Sequence, residues 1–217
     1  MKICEMLKKK DVGSIGIGAM IVFIAMVLVA GIAASVLIQT STRLETQAMK
    51  SGQETTAEVA TGIAIEDISG HYSSSLGYVN LIAINVRPRA GSEDVDLSTA
   101  VLELSDSTTK NLIIYNSGFF TDTGDINGDC FQYADYPANG VTFGLIVIED
   151  ADSSISGPTP VINRGDHVLI ALNVSAAFSG ISTRVDVFGQ AIPEQGSPGI
   201  ISFTSPSAYN EVVVELQ

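Results

Sequence analysis

Between Val12 and Thr42 the chain carries no charged residue, and from Ile15 to Ile38 it is almost wholly apolar. A run of this length matches the ~20 residues that cross a bilayer as a helix. A helix that is apolar on all sides must be covered by lipid or by other helices. Beyond Ile38 the helical steps continue through Leu44, Ala48, Gly52, Val59 and Ile63, while the positions between them turn polar. The spacing predicts one helix from Ser14 to about Ile65, about 75 Å long at about 1.5 Å per residue. Only its first half suits an apolar medium. Small residues at four-residue spacing, Ala30/Ala34 and Gly31/Ser35, permit the close approach of a second helix.

After Gly70 the pattern changes to short Val/Ile-rich runs separated by Gly, Pro, Asn, Asp and Ser clusters. The clearest are Tyr78 to Val86, Leu97 to Leu104, Lys110 to Tyr115, Val141 to Ile148, His167 to Val174, Arg184 to Ile192, Ile200 to Thr204 and Asn210 to Leu216. Strands at such spacing predict an antiparallel, immunoglobulin-like β-sandwich. The fold class is therefore α+β, a long N-terminal hydrophobic helix over residues 14–70 followed by an outer β-sandwich over residues 71–217. Gly118 to Gly140 is the longest expected loop. The serine run Ser73 to Ser75 reads as a hinge between helix and sandwich or as a loop of the sandwich.

Charge decides the orientation. Lys2, Lys8, Lys9 and Lys10 precede the apolar run, whereas Arg43 and Lys50 come after it in company with Glu45 and Glu54. The basic excess predicts the N-terminus on the cytoplasmic side and export of the chain beyond the run. Loss of residues 1–13 would remove four Lys, Glu5 and Asp11, taking the formal charge from -13 to -15. Such a surface repels phosphate backbones and excludes a nucleic-acid partner. A secretory leader would end its apolar region sooner, although Ala30 to Ser35 imitates a small-residue cleavage site. Cleavage at Gly13 would instead discard only the basic leader, residues 1–13, and keep the hydrophobic helix. The two cysteines, Cys4 and Cys130, provide no disulfide framework once the leader is gone.

Several segments carry a resemblance. Lys8-Lys9-Lys10-Asp11-Val12-Gly13-Ser14-Ile15-Gly16-Ile17-Gly18 with the apolar run after it closely resembles the start of an archaellin, or archaeal flagellin, precursor. Val141 to Ser154 (VTFGLIVIEDADSS), Pro160 to Asp166 (PVINRGD) and Pro193 to Gln217 resemble the same family. The resemblance implies a subunit of the rotating archaeal swimming filament, related to type IV pilins. It implies that a membrane prepilin/preflagellin peptidase cuts between Gly13 and Ser14. The hydrophobic helix, with Ile17, Ile21, Phe23, Ile24, Val27, Leu28, Ala34 and Leu37, would then form the filament core. The implied partners are further copies of the chain, paralogous archaellins, a membrane assembly platform and an ATP-driven motor. The precursor would lie in the cytoplasmic membrane and the product in the extracellular archaellum. Asp11-Val12 departs from the many relatives that have a basic residue directly before the glycine, which leaves the cut open by a residue or so.

Residue chemistry adds little beyond this. Asp125, Asn127 and Asp129 alternate as in the opening of an EF-hand loop, but Cys130 stands where glycine is usual and no closing Glu is present. Glu149, Asp150 and Asp152 form a second acidic turn. Both turns are candidates for Ca2+ or another divalent cation, or are solvated acids; no cofactor is required. Some members of the family bind a metal in the outer domain. Asn173-Val174-Ser175 is an N-glycosylation sequon, although it ends an expected strand. His71 and His167 are far apart in sequence and no nucleophile elbow is present, so an enzyme is not expected. Gly13, Gly16 and Gly18 lie in the apolar run rather than between a strand and a helix, which excludes a phosphate loop. Two alternatives share export and anchoring: an adhesive pilin-like filament subunit and a membrane-anchored surface binding protein.

Overall fold

Helix α1 runs without interruption from Lys2 to Ala60. The computed structural model describes residues 2–122, 128–132 and 136–217, with side chains from Ile15 onward. The chain divides by its contacts into residues 1–53 and residues 54–217. In the first unit Ile17, Ile21, Phe23, Ile24, Val27, Leu28 and Leu37 are all exposed, on every side of the helix. In the polar stretch after them three threonine hydroxyls turn back onto helix carbonyls. Thr40 donates to the carbonyls of Val36 (3.0 Å) and Leu37 (2.9 Å), Thr42 to Ile38 (3.0 Å) and Thr46 to Arg43 (2.9 Å).

The second unit is built of strands β1 (Ile63–Ser73), β2 (Tyr78–Pro88), β3 (Val95–Asp96), β4 (Val101–Ser105), β5 (Lys110–Thr121), β6 (Thr142–Glu149), β7 (Val161–Ile162), β8 (His167–Asn173), β9 (Asp186–Ile192), β10 (Gly199–Thr204) and β11 (Val213–Glu215), with a short helix α2 (Val174–Phe178). Nine of them form one sheet in the order β10-β9-β4-β5-β6-β8-β2-β1-β11, and β3 pairs with β7. Alternation places one face inward; in β10, Gly199, Ile201 and Phe203 are buried and Ile200, Ser202 and Thr204 exposed. Ile68, Ile84, Leu104, Ile113, Phe143, Ile170, Val187 and Ile201 come from eight different strands yet belong to one buried cluster. The sheet thus curls until its two halves enclose a common core. A parallel bridge between Gly62 and Ser197 joins the start of β1 to the approach to β10.

The expected class therefore stands: a long helix, then an antiparallel-dominated sheet curled on itself. Three details differ. The helix expected to reach about Ile65 stops at Ala60, and residues 63–70, assigned by spacing to the helical segment, are strand β1. Its partner β2 runs antiparallel from Ile63↔Pro88 to Ser73↔Tyr78, and this pairing outweighs the helical spacing of Val59 and Ile63. Ser73 to Ser75 is accordingly no hinge from the helix. It is the β1–β2 hairpin turn, where the Ser73 carbonyl accepts the N–H groups of Leu76 (3.2 Å) and Gly77 (2.8 Å). Finally, β5 and β6 run parallel, with a break in register between Tyr115 and Phe120.

Candidate functional site

The largest chemical feature is the surface of α1. From Ile15 to Ile38, fifteen large apolar side chains are each more than half exposed. At roughly 1.5 kcal/mol or more for each such side chain, leaving them in water costs on the order of 20 kcal/mol. That exceeds the whole stability of a typical domain, about 5–15 kcal/mol. Val12 to Ser41 offers no charge that would keep the segment in water. Ala34 is exposed among these side chains, as the small-residue spacing requires for close helix contact. The backbone of Gly13 and Ser14 is helical within α1, and the Ser14 side chain lies outside the described residues.

The acidic candidates separate. Asp125 and Asn127 lie outside the described residues. Asp129 closes a local turn, accepting the Phe131 N–H (3.0 Å) and the Gln132 side-chain amide (2.8 Å). Asp150 and Asp152, in contrast, meet Asp166, with one oxygen from each within 4.8 Å of the others. Asp166 does not stand out in the sequence. It is 1% exposed and comes from the turn between β7 and β8. Its oxygens accept the N–H of Ala151 (3.1 Å), the N–H of Asn163 (2.8 Å) and the Ser154 hydroxyl (3.4 Å). Asp150 accepts from the N–H groups of Ser154 (3.2 Å) and Ile155 (3.1 Å). Hydrogen bonds from Ser154 and Asn163 hold the Asp152 carboxyl below the usual carboxylate range. The donors fix three carboxylates around one point and leave further lone pairs on each. Such an oxygen-only set suits a hard divalent cation.

Asn173 is half-buried and sits at the N-cap of α2, where its side-chain oxygen accepts the Ala176 N–H (3.1 Å). That contact uses the carbonyl oxygen, so the sequon coincides with a helix start. The histidines stay apart. His71 contacts Asn80 (2.7 Å) and the Phe131 ring, and His167 lies 3.5 Å from Glu66. Cys130 is half-buried, and burial, with Asp129 beside it, pushes its thiol up and away from reactivity. Burial likewise pushes the Tyr115 phenol up to about 12; its hydroxyl donates to the Gly157 carbonyl at 2.7 Å.

Comparison with known proteins agrees with the helix-plus-sheet arrangement. The chain matches the family described as archaeal-type flagellin over residues 13–203. It is 40% identical to flagellin B2 and 41% identical to flagellin B1 of Methanocaldococcus jannaschii, with all of each chain covered. Its structure is similar to the crystal structure of archaeal flagellin FlaB1 from the same organism, with a TM-score of 0.65 and 36% identity, covering 73% of this chain and 98% of that one. The fold extends to a subunit of the archaeal flagellum of Methanospirillum hungatei, with a TM-score of 0.64 at 15% identity over 92% of this chain and 98% of that one.

Proposed function

The chain belongs to the archaeal flagellin family, and from that premise we propose that it polymerises through α1 into the extracellular filament that archaea rotate to swim. It is a structural subunit of the archaeal flagellum. The observation that carries the assembly reading is the all-round apolar exposure of α1 from Ile15 to Ile38. Lipid covers this surface before assembly and neighbouring copies of the helix cover it afterwards, so one segment serves both as membrane anchor and as filament core. Repetition of a contact that does not close on itself gives a helical filament.

The same reading assigns residues 1–13 to a leader held on the cytoplasmic side and removed between Gly13 and Ser14 by a preflagellin peptidase. Its support is the confinement of four lysines to the first ten residues, directly before the apolar run. A membrane platform and an ATP-driven motor complete the machine, and paralogous archaellins share the filament. In the outer domain, Asp150, Asp152 and Asp166 hold a divalent cation such as Ca2+ as an accessory to stability. Asn173 is the site of an N-linked glycan. N-terminal sequencing and intact mass of protein sheared from cells, with electron microscopy of the same fraction, test the assignment. Long thin filaments of chains that begin at Ser14 are expected; full-length chains in membranes without filaments would favour a plain anchored surface protein.

A further inference from the structure

The outer domain is strongly acidic, yet its few cations are gathered. Residues 61–217 contain 19 Asp and Glu against five Lys and Arg. Three of those five, Arg87, Arg89 and Arg164, line a single open pocket of about 510 Å3 together with His167. The pocket lies where the end of β2 meets the turn between β7 and β8, at the end of the sheet at which β1 begins, since Arg87 pairs with Ala64. Two of its charges are already engaged. Glu66 accepts from Arg87 Nε at 2.5 Å and lies 3.5 Å from His167 Nδ1. Asp166, also in the wall, accepts from Ala151, Asn163 and Ser154 and belongs to the three-carboxylate cluster with Asp150 and Asp152. Arg89 and Arg164 are exposed, and among the described residues neither has a carboxylate partner.

Guanidinium groups are matched to carboxylates by their paired N–H donors, and this open pocket is lined by two arginines without a carboxylate partner among the described residues. Copies of an acidic domain repel one another unless cations are placed where they touch. We infer that the Arg89/Arg164 pocket is a contact between outer domains, taking Asp or Glu side chains of a second copy of this chain. The inference rests on the filament reading above and adds to it a polar contact outside the helical core. The surplus of 14 carboxylates over cations in residues 61–217 supplies the complementary charge on the neighbour. An exposed pair of this kind sets register and spacing more than it adds affinity, and salt screens it.

The test uses the full-length precursor expressed in an archaeal host that lacks its own archaellins. Filaments of the Arg89→Lys and Arg164→Lys variants are treated with a zero-length carbodiimide, which joins amines to carboxylates in contact. Isotopically mixed subunits distinguish bonds between copies from bonds within one. Lys110, whose ammonium lies 2.6 Å from Glu103 of the same chain, is the internal control for an intrachain bond. Bonds from positions 89 and 164 to acids of another copy are expected. Intact filaments in which these positions join only acids of their own chain, or none, overturn the inference while leaving the filament reading in place; a pocket that takes only a free inorganic anion gives this result. In parallel, the Arg89→Glu/Arg164→Glu double variant is expected to lower filament yield at least tenfold, whereas Arg184→Glu/Lys110→Glu, with the same charge change outside the pocket, is not. Equal losses in the two would also overturn it. Absence of filaments from the unmodified chain would instead count against the filament reading itself.

Discussion

Ser197 holds Thr61 in place at the point where the chain leaves α1. The Ser197 N–H donates to the Thr61 carbonyl at 2.9 Å, and the Ser197 carbonyl accepts the Ile63 N–H at 3.2 Å. The Thr61 carbonyl is thereby drawn into sheet pairing, and the helix ends one residue earlier, at Ala60. The clamp needs Gly196, whose φ is +95° and whose added Cβ would stand 2.2 Å from the Thr61 carbonyl oxygen.

Gly196→Ala is expected to destabilise the outer domain by at least about 2 kcal/mol, because left-handed strain and a backbone clash act together. Gly77→Ala, at φ +80° in open space, isolates the strain alone and should cost about 1 kcal/mol. Thermal unfolding of the two variants checks the difference; equal midpoints would show that the Thr61–Ser197 clamp is not tight.

Much of this fold is legible in the sequence because each element obeys its own period. The apolar run fixes the helix, and strands such as Tyr78–Pro88 and Gly199–Thr204 begin within one residue of their expected starts. The end of the helix is not legible in this way. Val59 and Ile63 keep a helical step, whereas Ile63, Ile65 and Ile68 share a strand face only because of the bulge between Ile65 and Asp67, and the pairing with β2 decides between the two. The parallel β5/β6 pair and its break in register are likewise announced by no local pattern. At the acidic turn, Asp150 and Asp152 are visible as a cluster. Asp166 is not, because the turn at Gly165 brings it there from another strand connection. The gathering of Arg87 with Arg164 is hidden for the same reason: its two halves belong to β2 and to the turn before β8.

Val27→Asp places an unpaired carboxylate in the middle of the apolar surface, where Val27 is 54% exposed. A charge at this depth costs at least about 2.5 kcal/mol per subunit in an apolar medium. Because every subunit repeats the cost, filament yield should fall below detection by electron microscopy, with the outer domain still folded.

Substitution separates the helix cap at Asn173 from the glycan proposed for it. Asn173→Ser retains a helix-capping oxygen but destroys the sequon, so intact mass should drop by the glycan with thermal stability of the polypeptide little changed. Asn173→Ala also removes the cap and should cost a further ~1 kcal/mol. Identical masses for wild-type and Asn173→Ser proteins would exclude a glycan at this position.

The three-carboxylate cluster predicts linked pH and cation effects. The Asp152 carboxyl is held below its ordinary value of 3.8. Its contribution to stability is thus complete above that value and is lost as pH falls through the lower folded-state value. Above that range, Ca2+ at about 100 times its Kd should add about 2.7 kcal/mol. Chelation should lower the unfolding midpoint of the wild-type protein and leave Asp152→Asn unchanged. An equal response in both would remove Asp152 from the proposed cation site.

Accessibility of α1 inside the filament tests assembly through this helix most directly. Ala34→Cys and Ser107→Cys are each introduced into a Cys130→Ser background, and sheared filaments are treated with a water-soluble maleimide. Burial of α1 among its copies predicts that position 34 stays unmodified in filaments and reacts only after they are dissociated, whereas the exposed position 107 reacts in both states. Rapid modification of position 34 in intact filaments would contradict a core built from this helix.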